Sequence, residues 1–266
     1  MLHTLAGDRV DAPLDARNSP VHQLKLRFDG ALRVLRQDPP WKVVRAFGPL
    51  VHLHNVSGGI LAGDHLSLDV EAAADMQITT TGATRLYRHR AGAEDSRQHI
   101  RIVIGNGATL EYLPDPLIPF AGSRHIQRTS ISLGRGATLI WWEVLACTFP
   151  LERLEISNAI DICGRPALRE DFLLEPSKRP LTSLARMGKS THLSSFMVLS
   201  EGKTSTLWSI KERELRETVP DDWGISTLAA GGVIARKLSE TGRDLATELA
   251  LLRSRFSLLP PPRKVY

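Results

Sequence analysis

Residues 57–65 read Ser-Gly-Gly-Ile-Leu-Ala-Gly-Asp-His, and Gly58 and Gly63 have the spacing of a phosphate-binding loop. Such a loop next requires a Lys for the β and γ phosphates and a Ser or Thr for Mg²⁺. Asp64 and His65 stand there instead. A carboxylate in place of the ammonium repels the phosphates, so this stretch is no nucleotide site. Just before it, His52 and His54 are two apart in Val-His-Leu-His-Asn, which on a strand puts both imidazoles on one face. With Asp64 and His65 they make a nitrogen and carboxylate set of the kind that suits Ni²⁺ or Zn²⁺, held weakly or in transit. The competing reading is a His-x-His pair that is merely solvated on an exposed strand face.

Other chemistry is sparser. Arg85, Arg88 and Arg90 follow a run of threonines in TTTGATRLYRHR and are suited to gripping phosphate or the carboxylates of a partner, or to lying solvated. Neither a Gly-x-Ser-x-Gly elbow nor a His-Glu-x-x-His zinc helix occurs. Glu111 and Glu170 are the acids that an internal repeat relates to each other, which raises glycosidic chemistry on two carboxylates.

That repeat dictates the elements. GNGATLEYL begins at Gly105, GRGATLIWW at Gly134 and GRPALREDF at Gly164, with offsets of 134 − 105 = 29 and 164 − 134 = 30. Between the copies, HIRIVI (99–104) and RTSISL (128–133) alternate apolar and polar residues, the signature of half-buried strands. Each unit is then two strands and two turns. Without helical crossovers between strands, the pattern predicts a mainly β fold, antiparallel or solenoid-like, with stacked units sharing one core. The segments 99–113, 128–145 and 156–174 are expected as neighbours in one sheet system. On direct stacking, Glu111 maps onto Ile140 and then Glu170, placing the two acids about 10 Å apart, two strand spacings. The helical signal comes late: Leu245, Leu249, Leu252, Phe256 and Leu259 mark an amphipathic C-terminal helix over 244–259, with Thr241 as its cap and Pro260–Pro262 as its stop.

The 266 residues, 42% of them apolar, suffice for an extended core, and no linker divides them, so one domain is expected, with about the first 20 residues flexible. The net charge of +5 is spread among nearly as many acids as bases, which argues against nucleic acid. Two cysteines, Cys147 and Cys163, in no Cys-x-x-Cys pattern fit a reducing cytoplasm, and neither a signal segment nor a membrane-spanning run is visible.

The order of the pieces says more than any one of them. VHLHNVSGGILAGDHLSLDV, ITTTGATRLYR, GATLEYLPDPLIPFAGSR, GISTLAAGGVIARKL and a terminal PPPRKVY together resemble the UreD family of urease accessory proteins (UreH in some organisms), from about Pro40 to Tyr266. The resemblance implies a β-strand stack flanked by helices and no enzymatic activity. It implies a scaffold that binds apo-urease and, with UreF and the GTPase UreG, lets nickel and carbon dioxide reach the urease active site, UreE being the upstream nickel donor. No cofactor is tightly held, and nickel is at most in transit. Gly58, Gly59, Gly63, Asp64, Tyr87 and Glu111 become candidates for the family motif or for an internal passage, with Asp64 either capping its own turn or facing that passage. One departure stands out. After LIWWEVLA the family shows Gly-Arg, whereas this chain has Cys147-Thr148-Phe149-Pro150, which opens a soft-ligand role for Cys147. The competing classes are a β-solenoid carbohydrate-active enzyme and a basic nucleic-acid-binding protein.

Overall fold

The alternating segments fold into two facing sheets. The computed structural model describes residues 20–257 and 259; the N-terminal stretch expected to be flexible and the Pro260–Pro262 helix stop lie outside them. Sheet A has seven strands in the order β14 (Arg165–Leu174), β13 (Arg153–Ile162), β11 (Arg124–Leu133), β8 (Ser96–Ile104), β5 (His65–Ala72), β1 (Val21–Phe28) and β2 (Leu32–Gln37). Sheet B has ten: β16 (Gly224–Leu228), β17 (Gly232–Ser239), β15 (His192–Ser200), β12 (Thr138–Ala146), β9 (Thr109–Leu113), β6 (Met76–Thr80), β4 (Leu50–Asn55) and β3 (Trp41–Phe47), with the short β7 (Thr84–Leu86) and β10 (Leu117–Pro119) attached beside them.

The body is a solenoid, not an antiparallel sandwich. Strands β1, β5, β8, β11 and β13 run parallel in sheet A, and β4, β6, β9 and β12 run parallel in sheet B. Parallel neighbours usually need a helical crossover because the chain must return over one sheet. Here each coil returns through the opposite sheet instead, so the repeat becomes the pitch: Thr109 lies opposite Thr138, an offset of 138 − 109 = 29, and Arg124 opposite Arg153, 153 − 124 = 29. The segments expected in one sheet system therefore divide between two facing sheets.

The third repeat copy breaks the rule. After Ile162, Cys163 and Gly164 both take positive φ, 49° and 75°, and Ile162 pairs directly with Arg165. This is the two-residue hairpin loop whose twist suits antiparallel strands, so β14 folds back onto β13 rather than crossing to sheet B. Pro166, where the other copies have a second glycine, is tolerated because β14 is an edge strand. Glu170 consequently faces Asn158 in sheet A, and the proposed stacking of Glu111, Ile140 and Glu170 holds only for its first step.

Registers turn single residues into rows. Leu26, Val70, Ile102, Ile131 and Ile160 lie side by side across sheet A, all buried, and form an aliphatic ladder against sheet B. The next row begins apolar and ends polar: Leu24, Leu68, Ile100, Thr129, Asn158, Glu170.

A second core covers the outer face of sheet B. Helix α1 (Ser205–Arg216), which the sequence reading did not anticipate, buries Trp208 and Leu215, and Thr204 Oγ1 caps it by accepting from Leu207 N at 3.3 Å. Helix α2 spans Leu245–Ser254, shorter than the expected 244–259, and Asp244 rather than Thr241 holds the cap position, without a side-chain cap bond. Leu245, Leu249 and Leu252 are buried as their spacing demands, and Phe256 packs on Phe196 from just beyond the helix, ring centroids 6.0 Å apart.

Candidate functional site

The glycine stretch is a tight strand connection. Gly58 and Gly63 adopt φ of +72° and +82°, which favours a residue without Cβ. Gly59 is needed for closeness, since a Cβ there would lie 2.7 Å from the Tyr87 ring. Asp64 closes the turn on itself: Leu61 N donates to Asp64 Oδ2 at 2.8 Å and Asp64 N to Leu61 O at 3.1 Å. Of the two roles open to Asp64, this geometry is the turn cap. His65 opens β5 with Nε2 3.5 Å from Glu94, and burial, reinforced by Arg97, holds its imidazole below the ordinary value.

The structure does not gather the four metal candidates. His52 is buried, not solvated, at 1% exposure, under the outer face of sheet B, and His54 Nδ1 shares a hydrogen bond of 2.6 Å with Thr81 Oγ1. Asp64 and His65 belong to sheet A's side, and among the described residues no three His, Cys, Asp or Glu side chains come together as a metal group. Cys147 packs against the main core, and burial pushes its thiol up to about 11, which keeps it a neutral, poor ligand at physiological pH.

The two remaining candidates are fixed by neighbours. Tyr87 hydroxyl lies 3.4 Å from Gly58 O, and its ring meets Phe120 edge-on at 5.6 Å. Glu111 is fully buried on the outer face of sheet B, opposite Ile140. It accepts from Gln77 Nε2 at 2.7 Å, from Arg253 Nε of α2 at 2.7 Å and from the Ser257 hydroxyl. The residue thus anchors α2 to the solenoid.

The chemistry that sequence reasoning missed lies between the sheets. A partly open cavity of about 100 Å³ lies between them, with Glu143, Glu170, Arg236, Gln127, Ser195 and Asp115 among its largely apolar walls. In sheet B the register aligns Glu143, Ser195 and Arg236 across β12, β15 and β17. From sheet A, Glu170 pairs with Arg236, and Asn158 Nδ2 donates to Glu143 Oε2 at 3.3 Å. Glu143 is half-buried and lines this cavity, with protein atoms packed around its carboxyl. Burial, with Glu170 adding repulsion, pushes its carboxyl up to about 8, against the smaller opposing pull of Asn158 and Arg236. Ser195 Oγ and Asn158 Oδ1 have no hydrogen-bond partner among the described residues. The site is a small, mostly apolar cavity on one side of which a cluster of polar groups, Glu143, Asn158, Glu170, Ser195 and Arg236, converges. Only Glu143 was readable: Leu139, Trp141, Glu143 and Leu145 share one strand face, and an acid in that apolar row demands a reason.

Comparison of the sequence with known proteins supplies the family. The family model described as UreD urease accessory protein matches residues 15–264. A urease accessory protein UreD from Herpetosiphon aurantiacus is 36% identical over 262 residues, covering 88% of this chain and 91% of the relative. Another from Marinobacter nauticus is 29% identical over 268 residues, covering 94% and 85%. A third, urease accessory protein UreD 2 from Brucella abortus, is 32% identical over 168 residues, covering 59% and 55%. A family-model match over nearly the whole chain, with a relative 36% identical over 88% of it, places the chain in the UreD family of urease accessory proteins.

Proposed function

We propose that the protein is a cytoplasmic urease maturation scaffold that binds apo-urease and, with UreF and the GTPase UreG, enables nickel to reach the urease active site, UreE supplying the ion upstream. Beyond family membership, the observation that carries this reading is the cluster of Glu143, Glu170 and neighbouring oxygens in the wall of the cavity between the sheets. The cavity's volume of about 100 Å³ has room for several waters, at roughly 10–15 Å³ of such space each. It is therefore on the scale of a partly hydrated divalent cation and far below the roughly 300–1,000 Å³ of pockets for organic ligands. Glu143 and Glu170 offer oxygen ligands, and Ser195 and Asn158 offer further oxygens. Glu143 keeps its proton to about pH 8, so an entering cation must displace that proton. Binding is then weak near neutrality, as suits cargo that must be released. The carbohydrate-active alternative loses its basis, because Glu111 lies under α2 on one face of sheet B and Glu170 lies between the sheets on the other.

The test is to mature urease with equal amounts of soluble wild type, Glu143→Gln or Glu170→Gln, then measure urease-bound nickel while checking assembly with UreF and UreG. The expected result is several-fold lower nickel with the complex intact. Full loading by both variants removes the cavity from the route.

A further inference from the structure

The polar cluster in the wall of the inter-sheet cavity includes a cation of the chain's own. Arg236 on β17 pairs with Glu170 on β14 where both sheets end, since β14 is the edge of sheet A and β17 lies one strand from the edge of sheet B. Glu143 on β12 and Ser195 on β15 share the row of Arg236, so guanidinium, serine hydroxyl and both glutamates face one space. Two further oxygens there have bonding capacity to spare. Ser195, 9% exposed, and Asn158, 2% exposed, each keep a side-chain oxygen without a hydrogen-bond partner among the described residues, and buried polar atoms are normally matched. With the two carboxylates they form an oxygen donor set for a divalent cation.

The guanidinium already in the cluster is loosely held. One of its N–H groups donates to Glu170, its Nε has no acceptor among the described residues, and the Phe172 ring lies 6.0 Å from its central carbon. Arg124, by contrast, donates to Asp95 twice and to Glu152 once. The Arg236 side chain is 37% exposed against 13% for Glu170, so it has a solvent side to turn towards. Charge balance gives the direction. While Glu143 holds its proton, Glu170 and Arg236 cancel. A divalent cation that replaces that proton is neutralised by the two carboxylates only once the guanidinium has withdrawn, and an uncompensated charge away from water is costly. Asp115, the remaining acid of the wall, accepts from Thr80 Oγ1 at 3.1 Å on β6, two strands from β12.

We propose that Arg236 is an internal competitor for the cation: it neutralises Glu170 when none is bound, and must turn outward before a divalent cation is held between Glu143 and Glu170. This rests on the function proposed above for those carboxylates. It adds the residue that sets the affinity low and the sign of its effect, because removing Arg236 should tighten binding although it breaks an ion pair.

The experiment is calorimetric titration of the purified full chain with Ni²⁺ at pH 7, with thermal unfolding recorded to confirm that each variant is folded. Arg236→Gln and Arg236→Met remove the charge with different side chains, Arg236→Lys keeps it, and Glu143→Gln, Glu170→Gln and the double variant Arg236→Gln, Glu170→Gln remove the oxygens. The expected result is affinity at least about tenfold tighter in Arg236→Gln and Arg236→Met, because the repulsion between the two cations is gone. Arg236→Lys should stay near wild type, and the double variant should lose the gain. Affinity in Arg236→Gln and Arg236→Met equal to or weaker than wild type, or tightened as much in Arg236→Lys, overturns the competitor; if Glu143→Gln still weakens binding, the proposed function stands. Binding that neither Glu143→Gln nor Glu170→Gln changes, or no measurable binding by wild type or by any Arg236 variant, takes the cation out of this cluster and overturns both.

Discussion

Glu111 and Glu143 sit on neighbouring strands of sheet B and face opposite ways, one into the helix layer and one into the inter-sheet cavity. Both are acids in apolar surroundings, where an unpaired charge is costly. Glu111 resolves this with partners: a guanidinium, an amide and a hydroxyl converge on its two oxygens. Glu143 has one long amide contact and a like charge beside it, and resolves the cost by keeping its proton. The difference teaches that depth alone does not mark a working acid. A buried carboxylate whose every oxygen is matched holds structure together, and one left short of donors is free to exchange a proton for a cation.

Breaking the matched site produces the largest effect. Glu111→Ala removes the carboxylate that faces Arg253, 5% exposed, and removing one partner of a buried pair costs about 3–5 kcal/mol. Urea unfolding at pH 7 measures this. Combining Glu111→Leu with Arg253→Met removes both charges and recovers much of the loss. A cost below about 1 kcal/mol for Glu111→Ala would show that the pair does not fasten α2.

The unmatched site has a pH signature instead. The folded carboxyl of Glu143 is raised from an ordinary 4.5 to about 8. Between those values the unfolded chain has released the proton and the folded chain has not. Folding therefore binds a proton across that window, and the stability contribution falls as pH rises from about 4.5 to about 8, then levels. Glu143→Gln removes the slope, so it is more stable than wild type above pH 8, by on the order of 1–3 kcal/mol. Thermal unfolding from pH 5 to 9 decides it; parallel curves for the two proteins would mean that Glu143 is ionised throughout.

What was legible in the sequence follows the same division between matched and unmatched features. The solenoid was readable because its 29-residue pitch and alternating strands are local patterns that every coil repeats. The C-terminal helix was readable from its leucine spacing, though its end was not, because Phe256 continues the apolar pattern while the backbone has already left the helix. Helix α1 has only two buried residues, Trp208 and Leu215, too few to mark an apolar stripe in the sequence. The third repeat copy misled because Cys163 and Gly164 make a two-residue hairpin where the other copies cross over, which changes the sheet to which Glu170 belongs. Family motifs pointed to the turn at 57–65, where glycines are conspicuous. The polar cluster is built from Glu143, Asn158, Glu170, Ser195 and Arg236, single residues on five strands that only the register brings together.

Asp64 is the third acid, and it sharpens the comparison by belonging to neither kind. It is partly exposed, its oxygen is committed to Leu61 N, and it lies outside the cavity wall. Asp64→Ala should cost about 0.5–2 kcal/mol, by analogy with the loss of a helix cap. Asp64→Asn keeps a side-chain oxygen at the same place and should recover most of that cost without restoring the charge. If the residue is only a cap, urease matured with equal amounts of soluble Asp64→Ala, Asp64→Asn or wild type carries the same nickel. The pair of substitutions separates geometry from charge, since a cation route needs the carboxylate and a turn needs only the acceptor. Nickel loading that falls equally in both variants while soluble protein is held constant would make Asp64 a member of the route, and would extend the working acids beyond the compartment of Glu143.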